Sequence, residues 1–186
     1  EQGVGDEIMF CSMLGSLHSI TGSFSVEIDE RLLPIFKRSF ENIPFFAKNK
    51  SDISNFDAQI PMGSLGQYLR PTLSSFLDGR AFLRADMLAA SDLRKRLSPD
   101  NKMLVGVSWI SKNEKVGLFK SIPLERLLSA FLGLDLRLVS LQYSDELTSF
   151  NKLAANSKLD IADSSFIDKF NDLDGLSSLI EACDLV

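Results

Sequence analysis

Glu1-Gln-Gly-Val-Gly-Asp-Glu-Ile8 is the segment whose residue types and spacing come nearest to a chemical site. Glycine permits tight turns and close approach of a ligand to the backbone, and a helix starting there offers free N–H groups to an anion. Gly3 and Gly5 fit the first two positions of the dinucleotide-binding pattern G-x-G-x-x-G, but Ile8 occupies the third, so the pattern fails. The chain contains no G-x-x-x-x-G-K-[ST], which excludes a P-loop. What remains is a glycine-containing loop with Asp6 at a helix start, either an N-terminal cap or an anion cradle. Cys11, Cys183 and the single histidine, His18, are too scattered for a zinc site or a disulfide framework. The cysteines stand among apolar neighbours and read as small buried hydrophobes of a reduced, cytoplasmic protein.

The 186 residues carry a formal net charge of −5, with acids and bases mixed along the chain. No Lys/Arg stripe can neutralise a run of phosphates, so nucleic acid is not an expected partner. Hydrophobic residues at 45% and charged residues at 24% describe a globular chain rather than a disordered one. No apolar run approaches the roughly 20 residues that a membrane span needs.

The elements that must hold the loop follow from periodicity. Met9, Met13, Leu17 and Phe10, Leu14 recur at helical spacing, so a helix is expected from Asp6 to Gly22, with Asp6 and Glu7 in its first turn. Ser23–Ile28 and Ile43–Ala47 read as strands, with a helix over Leu33–Phe40 between them. The stretch Asp57–Ile60 is a possible strand, and Ser64 a possible N-cap of a short helix. The aromatic set Phe36, Phe40, Phe45 and Phe46 is expected to pack this half. Asp86–Leu97 is a helix, and Ser98-Pro-Asp-Asn-Lys102 breaks the pattern. After it come an apolar strand over Met103–Trp109, a helix with Pro123 near its first position, a strand over Leu136–Gln142 and a helix over Asp145–Ala155. A short strand over Leu159–Ala162 and a helical stripe of Leu173, Leu176, Leu179 and Ile180 complete the run before Asp184-Leu-Val186. Alternating strands and helices signify βαβ units and a parallel sheet. The expected domains are residues 1–97 and 98–186, each incomplete, since the chain opens on a turn without a preceding strand and closes on what reads as the start of one.

Gln2-Gly-Val-Gly-Asp-Glu-Ile-Met-Phe10 resembles the opening loop of bacterial glycosyltransferases related to the ADP-heptose–lipopolysaccharide heptosyltransferases, in the branch found behind tetratricopeptide repeats. Asp29–Phe40, Gln59–Leu65, Phe82–Asp86, Val105-Gly-Val-Ser-Trp109, Lys120-Ser-Ile-Pro-Leu-Glu125, Ser140-Leu-Gln-Tyr143 and Asp172–Leu176 fall in the same order. The resemblance implies an α/β fold of GT-B type: two Rossmann-like domains, the first binding a hydroxyl acceptor (a glycan, lipopolysaccharide or protein) and the second a nucleoside-diphosphate sugar. It implies a metal-independent sugar transferase without a cofactor beyond its nucleotide-sugar co-substrate, or, as the alternative, a non-catalytic interaction domain on the same fold.

Residue by residue, the resemblance makes Asp6 the general base that takes the proton of the acceptor hydroxyl. Gly3 and Gly5 shape its loop. Lys120 would pair with the donor diphosphate, and Ser108 and Ser121 would add hydroxyl donors. Gln142 ends a parallel strand, where ligands of open α/β sheets bind. Trp109 reads as core, and Lys112 and Lys115 as solvated neighbours of Lys120.

Overall fold

A computed structural model describes residues 3–50, 54, 56–76, 81–111, 117–143 and 147–186. Glu1, Gln2, Lys112, Lys115 and the expected helix start at Asp145 lie outside them. The chain divides into two compact units, Glu1–Arg84 and Ala85–Val186.

In the first unit, α1 (Val4–Cys11) and α2 (Leu14–His18) replace the single helix expected over Asp6–Gly22. The break is local chemistry. The Ser12 hydroxyl donates to the Met9 carbonyl at 2.6 Å, and the Ser12 N–H bonds the same oxygen, so the last turn tightens three residues on. The expected apolar stripe splits with it: Met13 and Leu14 are buried, but Met9 is exposed. His18 is exposed in the last turn of α2. Then come β1 (Val26–Ile28), a 3-10 turn over Glu30–Leu32, α3 (Leu33–Ser39) with proline in its first turn, and β2 (Phe45–Ala47). The strands are shorter than their apolar runs and pair in parallel, with Ile28 opposite Ala47. Leu14, Ile28, Leu32 and Phe36 are fully buried, and the rings of Phe36, Phe40 and Phe45 lie 5.5–5.9 Å apart. Phe46 departs from the expected aromatic core because strand alternation turns it outward. Residues 57–60 form no strand. They are exposed, and Pro61, which lacks an N–H, leads into a 3-10 turn over Met62–Leu65 that absorbs Ser64 before α4 (Gly66–Leu69).

The second unit starts with α5 (Met87–Leu97), capped by Asp86, whose carboxylate accepts the Leu88 and Ala89 N–H groups at 3.0 Å. Its order continues β3 (Met103–Val107), α6 (Leu124–Ser129), β4 (Leu136–Ser140), α7 (Leu147–Asn156), β5 (Asp160–Ala162) and α8 (Leu173–Glu181). The strands form a parallel sheet in the order β3-β4-β5. Leu185 adds a parallel bridge on the outer side of β3, opposite Val105. Helices cover both faces. Val105, Val107 and Leu138 pack with Trp109, Leu124, Leu128, Phe150 and Ala154, while Leu104, Val139 and Leu141 pack with Leu97, Ile167 and Leu179. The second layer explains why the chain divides at Arg84/Ala85 and not at the expected 97/98: α5 lies against α8 and belongs to the second core. Two parallel sheets with crossover helices make an α/β fold compatible with Rossmann-like architecture.

Polar locks fix the sheet. Strand register sets Arg137 opposite Asp160, and their forked ion pair (2.8 and 3.0 Å) is extended by Asp100 at 2.9 Å. Arg94 bonds the Lys102 carbonyl at 3.1 Å and Asp184 at 2.6 Å, while Asp184 accepts the Leu104 N–H at 2.7 Å, so residue 185 is clamped to β3. Gly106 is closely packed: a Cβ there would stand 2.7 Å from Leu141 Cδ1 and 3.2 Å from Cys183 Sγ, so a larger residue makes the Leu141 side chain shift. Burial pushes the Cys183 thiol up to about 11, so it stays protonated.

Candidate functional site

Ligands of open parallel sheets bind outside the carboxyl ends of the strands. In the first unit that edge is formed by Asp29, just after β1, and Lys48, just after β2, with the first turn of α1 beside them. Gly3 precedes α1 with an extended backbone (φ −177°), and its carbonyl accepts the Asp6 and Glu7 N–H groups at 3.1 and 3.2 Å. A Cβ on Gly3 or Gly5 would meet nothing within 4 Å, so neither glycine is demanded by the fold. Asp6 is half-buried, and its carboxylate makes no hydrogen bond or ion pair with the described residues. Side-chain capping of α1 is absent too. The cap reading therefore gives way to a carboxylate at a helix start that no described residue engages.

Glu7 is the acid that the fold does use. It is 1% exposed, accepts the Asp29 N–H on Oε2 at 2.7 Å and pairs through Oε1 with the Lys48 ammonium. Next to it the Arg31 guanidinium, 2.8 Å from Asp29, holds the Asp29 carboxyl down to about 2. No periodicity marks Glu7, because it shares the first turn with Asp6 and both suit the helix dipole.

In the second unit the expected donor residues all lie in the loops after β3 and β4. Gln142 is 3% exposed and its Oε1 accepts from Ser108 Oγ (3.1 Å), Trp109 N (3.2 Å) and Ile110 N (3.1 Å), while Nε2 donates to the Ile110 carbonyl at 3.1 Å. That oxygen has no lone pair to spare, so one N–H is all Gln142 can offer a ligand. Its main role is to brace the segment leaving β3. The Ser121 hydroxyl is likewise occupied, donating to the Gly117 carbonyl at 2.7 Å and accepting the Ser111 N–H at 3.0 Å. Ile122 N–H bonds the Trp109 carbonyl at 2.9 Å, which pins the far end of this loop to the end of β3. Lys120, adjacent to that anchor, is exposed and makes no ion pair or hydrogen bond with the described residues. Trp109 is core, stacked on Phe150 at 5.3 Å.

Replacing Gln142 by Leu is expected to lower unfolding free energy by about 1–3 kcal/mol, because the Trp109 and Ile110 N–H groups lose their acceptor. Urea denaturation measures it, and an unchanged midpoint would refute the brace.

Aromatic rings crowd the same edge. Tyr143, just after β4, and Phe170, in the loop after β5, are half-exposed with centroids 6.1 Å apart. Phe119, beside Lys120, is 90% exposed. Arg96 lies 3.4 Å over the Phe166 ring. Lys169, in the same loop, is 7% exposed and donates to the Ser164 carbonyl at 2.8 Å; burial lowers its pKa. Nothing in the sequence distinguishes Lys169 from a surface lysine.

A cleft of about 310 Å³ lies at the opposite, amino end of the strands, lined by Lys102, Asp135, Ser157, Lys158 and Asp160 among others. Three of its charges are spent on one another, Lys102 pairing with Asp135 at 3.0 Å and with Asp160 at 3.1 Å. Asp172-Leu173-Asp174 has the Asp-x-Asp form associated with metal-dependent transferases, so metal independence rests on the resemblance alone. Here Asp172 caps α8, accepting the Gly175 N–H at 2.8 Å. Among the described residues no group of three His, Cys, Asp or Glu side chains is placed to hold a metal ion. Among the described residues no helix is long and apolar enough to cross a membrane.

The chain is similar to protein FlbA of Caulobacter vibrioides, with 29% identity over 211 aligned residues that take in all of this chain and 34% of FlbA. It thus spans about a third of the length of the curated relative it matches. No family model and no solved structure matches the chain.

Proposed function

We propose that the chain is part of a GT-B-type glycosyltransferase of the heptosyltransferase-like group, moving a sugar from a nucleoside-diphosphate donor to a hydroxyl acceptor. The observation that carries this reading is the makeup of the carboxyl edge of the β3-β4-β5 sheet, with a cation, Lys120, that has no partner among the described residues, and the exposed Tyr143–Phe170 ring pair. A fixed cation suits a diphosphate leaving group, and flat rings suit a base or sugar face. The first unit offers the complementary chemistry at its own carboxyl edge: Asp6, without a partner among the described residues, is a carboxylate of the kind that takes a proton from an acceptor hydroxyl. The internal saturation of Gln142 and Ser121 favours the alternative of a non-catalytic interaction domain attached to tetratricopeptide repeats.

Calorimetric titration with a panel of nucleoside-diphosphate sugars separates the two. Binding is expected, and Lys120→Ala is expected to weaken it about tenfold or more, the scale of one charge-assisted hydrogen bond. A folded protein that binds no member of the panel would overturn the transferase reading and leave the interaction-domain alternative.

A further inference from the structure

We propose that Glu7 is a positioning residue, which fixes the first turn of α1 against the carboxyl ends of β1 and β2 and thereby sets the direction of the Asp6 carboxylate. The inference rests on the transferase reading only in the use it gives to Asp6. An acid in a first turn is explained by the helix dipole when it is exposed, but Glu7 is 1% exposed. Burying an ionised carboxylate costs several kcal/mol unless partners replace its water, and an apolar side chain packs such a place without that cost. The partners are therefore informative. Asp29 follows β1 and gives its N–H to Glu7 Oε2 at 2.7 Å; Lys48 follows β2 and brings its ammonium to Oε1. The Lys48 N–H in turn bonds the Ile28 carbonyl at 3.0 Å, so the two strand ends that Glu7 grips are also bonded to each other. One side chain thus ties the helix start to both strands.

Asp6 is the next residue, about 100° round the helix. It cannot be aimed by partners of its own, since among the described residues it has none. Its direction is set by the backbone turn closed on the Gly3 carbonyl, and Glu7 is what anchors that turn. Removal of the Lys48 charge would leave Glu7 buried without its ion-pair partner, and the helix start would swing outward to rehydrate it.

The experiment compares wild type with Glu7→Gln, Lys48→Met and Lys48→Arg by amide hydrogen exchange and by release of nucleoside diphosphate from a panel of nucleotide sugars. Glu7→Gln and Lys48→Met are expected to speed exchange of the Asp6, Glu7 and Asp29 amides about tenfold, with the Val139 amide of the second unit unchanged. They are expected to lower kcat per folded molecule about tenfold while the donor KM holds within about twofold, and Lys48→Arg should restore both. Faster exchange with unchanged kcat would reduce Glu7 to a structural brace and overturn the proposal. Unchanged exchange would overturn it as well. A wild-type protein that releases nothing from any donor would sink the transferase reading instead, and the exchange of the three amides would then decide by itself whether Glu7 anchors the turn.

Discussion

Asp6→Asn is expected to lower kcat for sugar transfer by about 10²–10⁴-fold, the contribution usual for a positioned general base. Asparagine keeps the volume and cannot accept a proton. The Asp6 carboxylate bonds no described residue, so the substitution orphans no internal partner among them, and its stability cost is confined to the helix-dipole effect, about 0.3–1 kcal/mol. Chemistry and folding are therefore separable at this position. The donor KM should stay within about threefold of wild type, since the cation and rings assigned to the donor belong to the second unit. Nucleoside diphosphate release, compared with the urea midpoint of the same variant, checks both. Turnover within about threefold of wild type would remove Asp6 from the mechanism and leave the loop without a chemical role.

The helices and strands of the second unit could be read from the chain because each is a local pattern. An apolar run such as Leu104-Val-Gly-Val107 is a buried strand wherever it pairs. The first helix was misread at Ser12, where one hydroxyl on the Met9 carbonyl outweighs a favourable stripe. The site was less legible. Gln142 looks like a ligand group because it is polar at a strand end, yet its acceptor oxygen and one of its donors are consumed by a segment 32–34 residues earlier in the chain. Glu7 looks like the milder half of an acidic pair, but its partners stand 22 and 41 residues away and only strand pairing brings them together. The boundary between the units was displaced for the same reason: α5 reads as an ending until α8, far along the chain, supplies the surface on which it packs. Long-range satisfaction of polar groups is what periodicity does not encode.

The largest loss of stability is expected from Phe150→Ala, about 3–5 kcal/mol, since a fully buried aromatic side chain forfeits its transfer energy and leaves a cavity. Phe150 is 0% exposed on α7 and stacks on Trp109 at 5.3 Å with the rings 17° from parallel. Val107, Leu128 and Leu138 share that core, so its wall is built by two strands and two helices. Collapse of the cavity is opposed by Trp109, which is tethered through its N–H to Gln142 and through its carbonyl to Ile122. A wall held by hydrogen bonds relaxes poorly, which places the cost toward the upper end of the range. Where the wall does yield, Trp109 moves, and the segment that carries Ser108 and the anchor beside Lys120 moves with it. Phe150→Ala should therefore also weaken nucleotide binding under conditions where the variant remains folded. Leu73→Ala, at a side chain 90% exposed in the first unit, is the matched control and should change stability by less than about 0.5 kcal/mol. Urea unfolding of the three proteins decides the matter. A Phe150→Ala cost below about 1 kcal/mol would mean that the helix-covered face of the sheet is not the close-packed core described above.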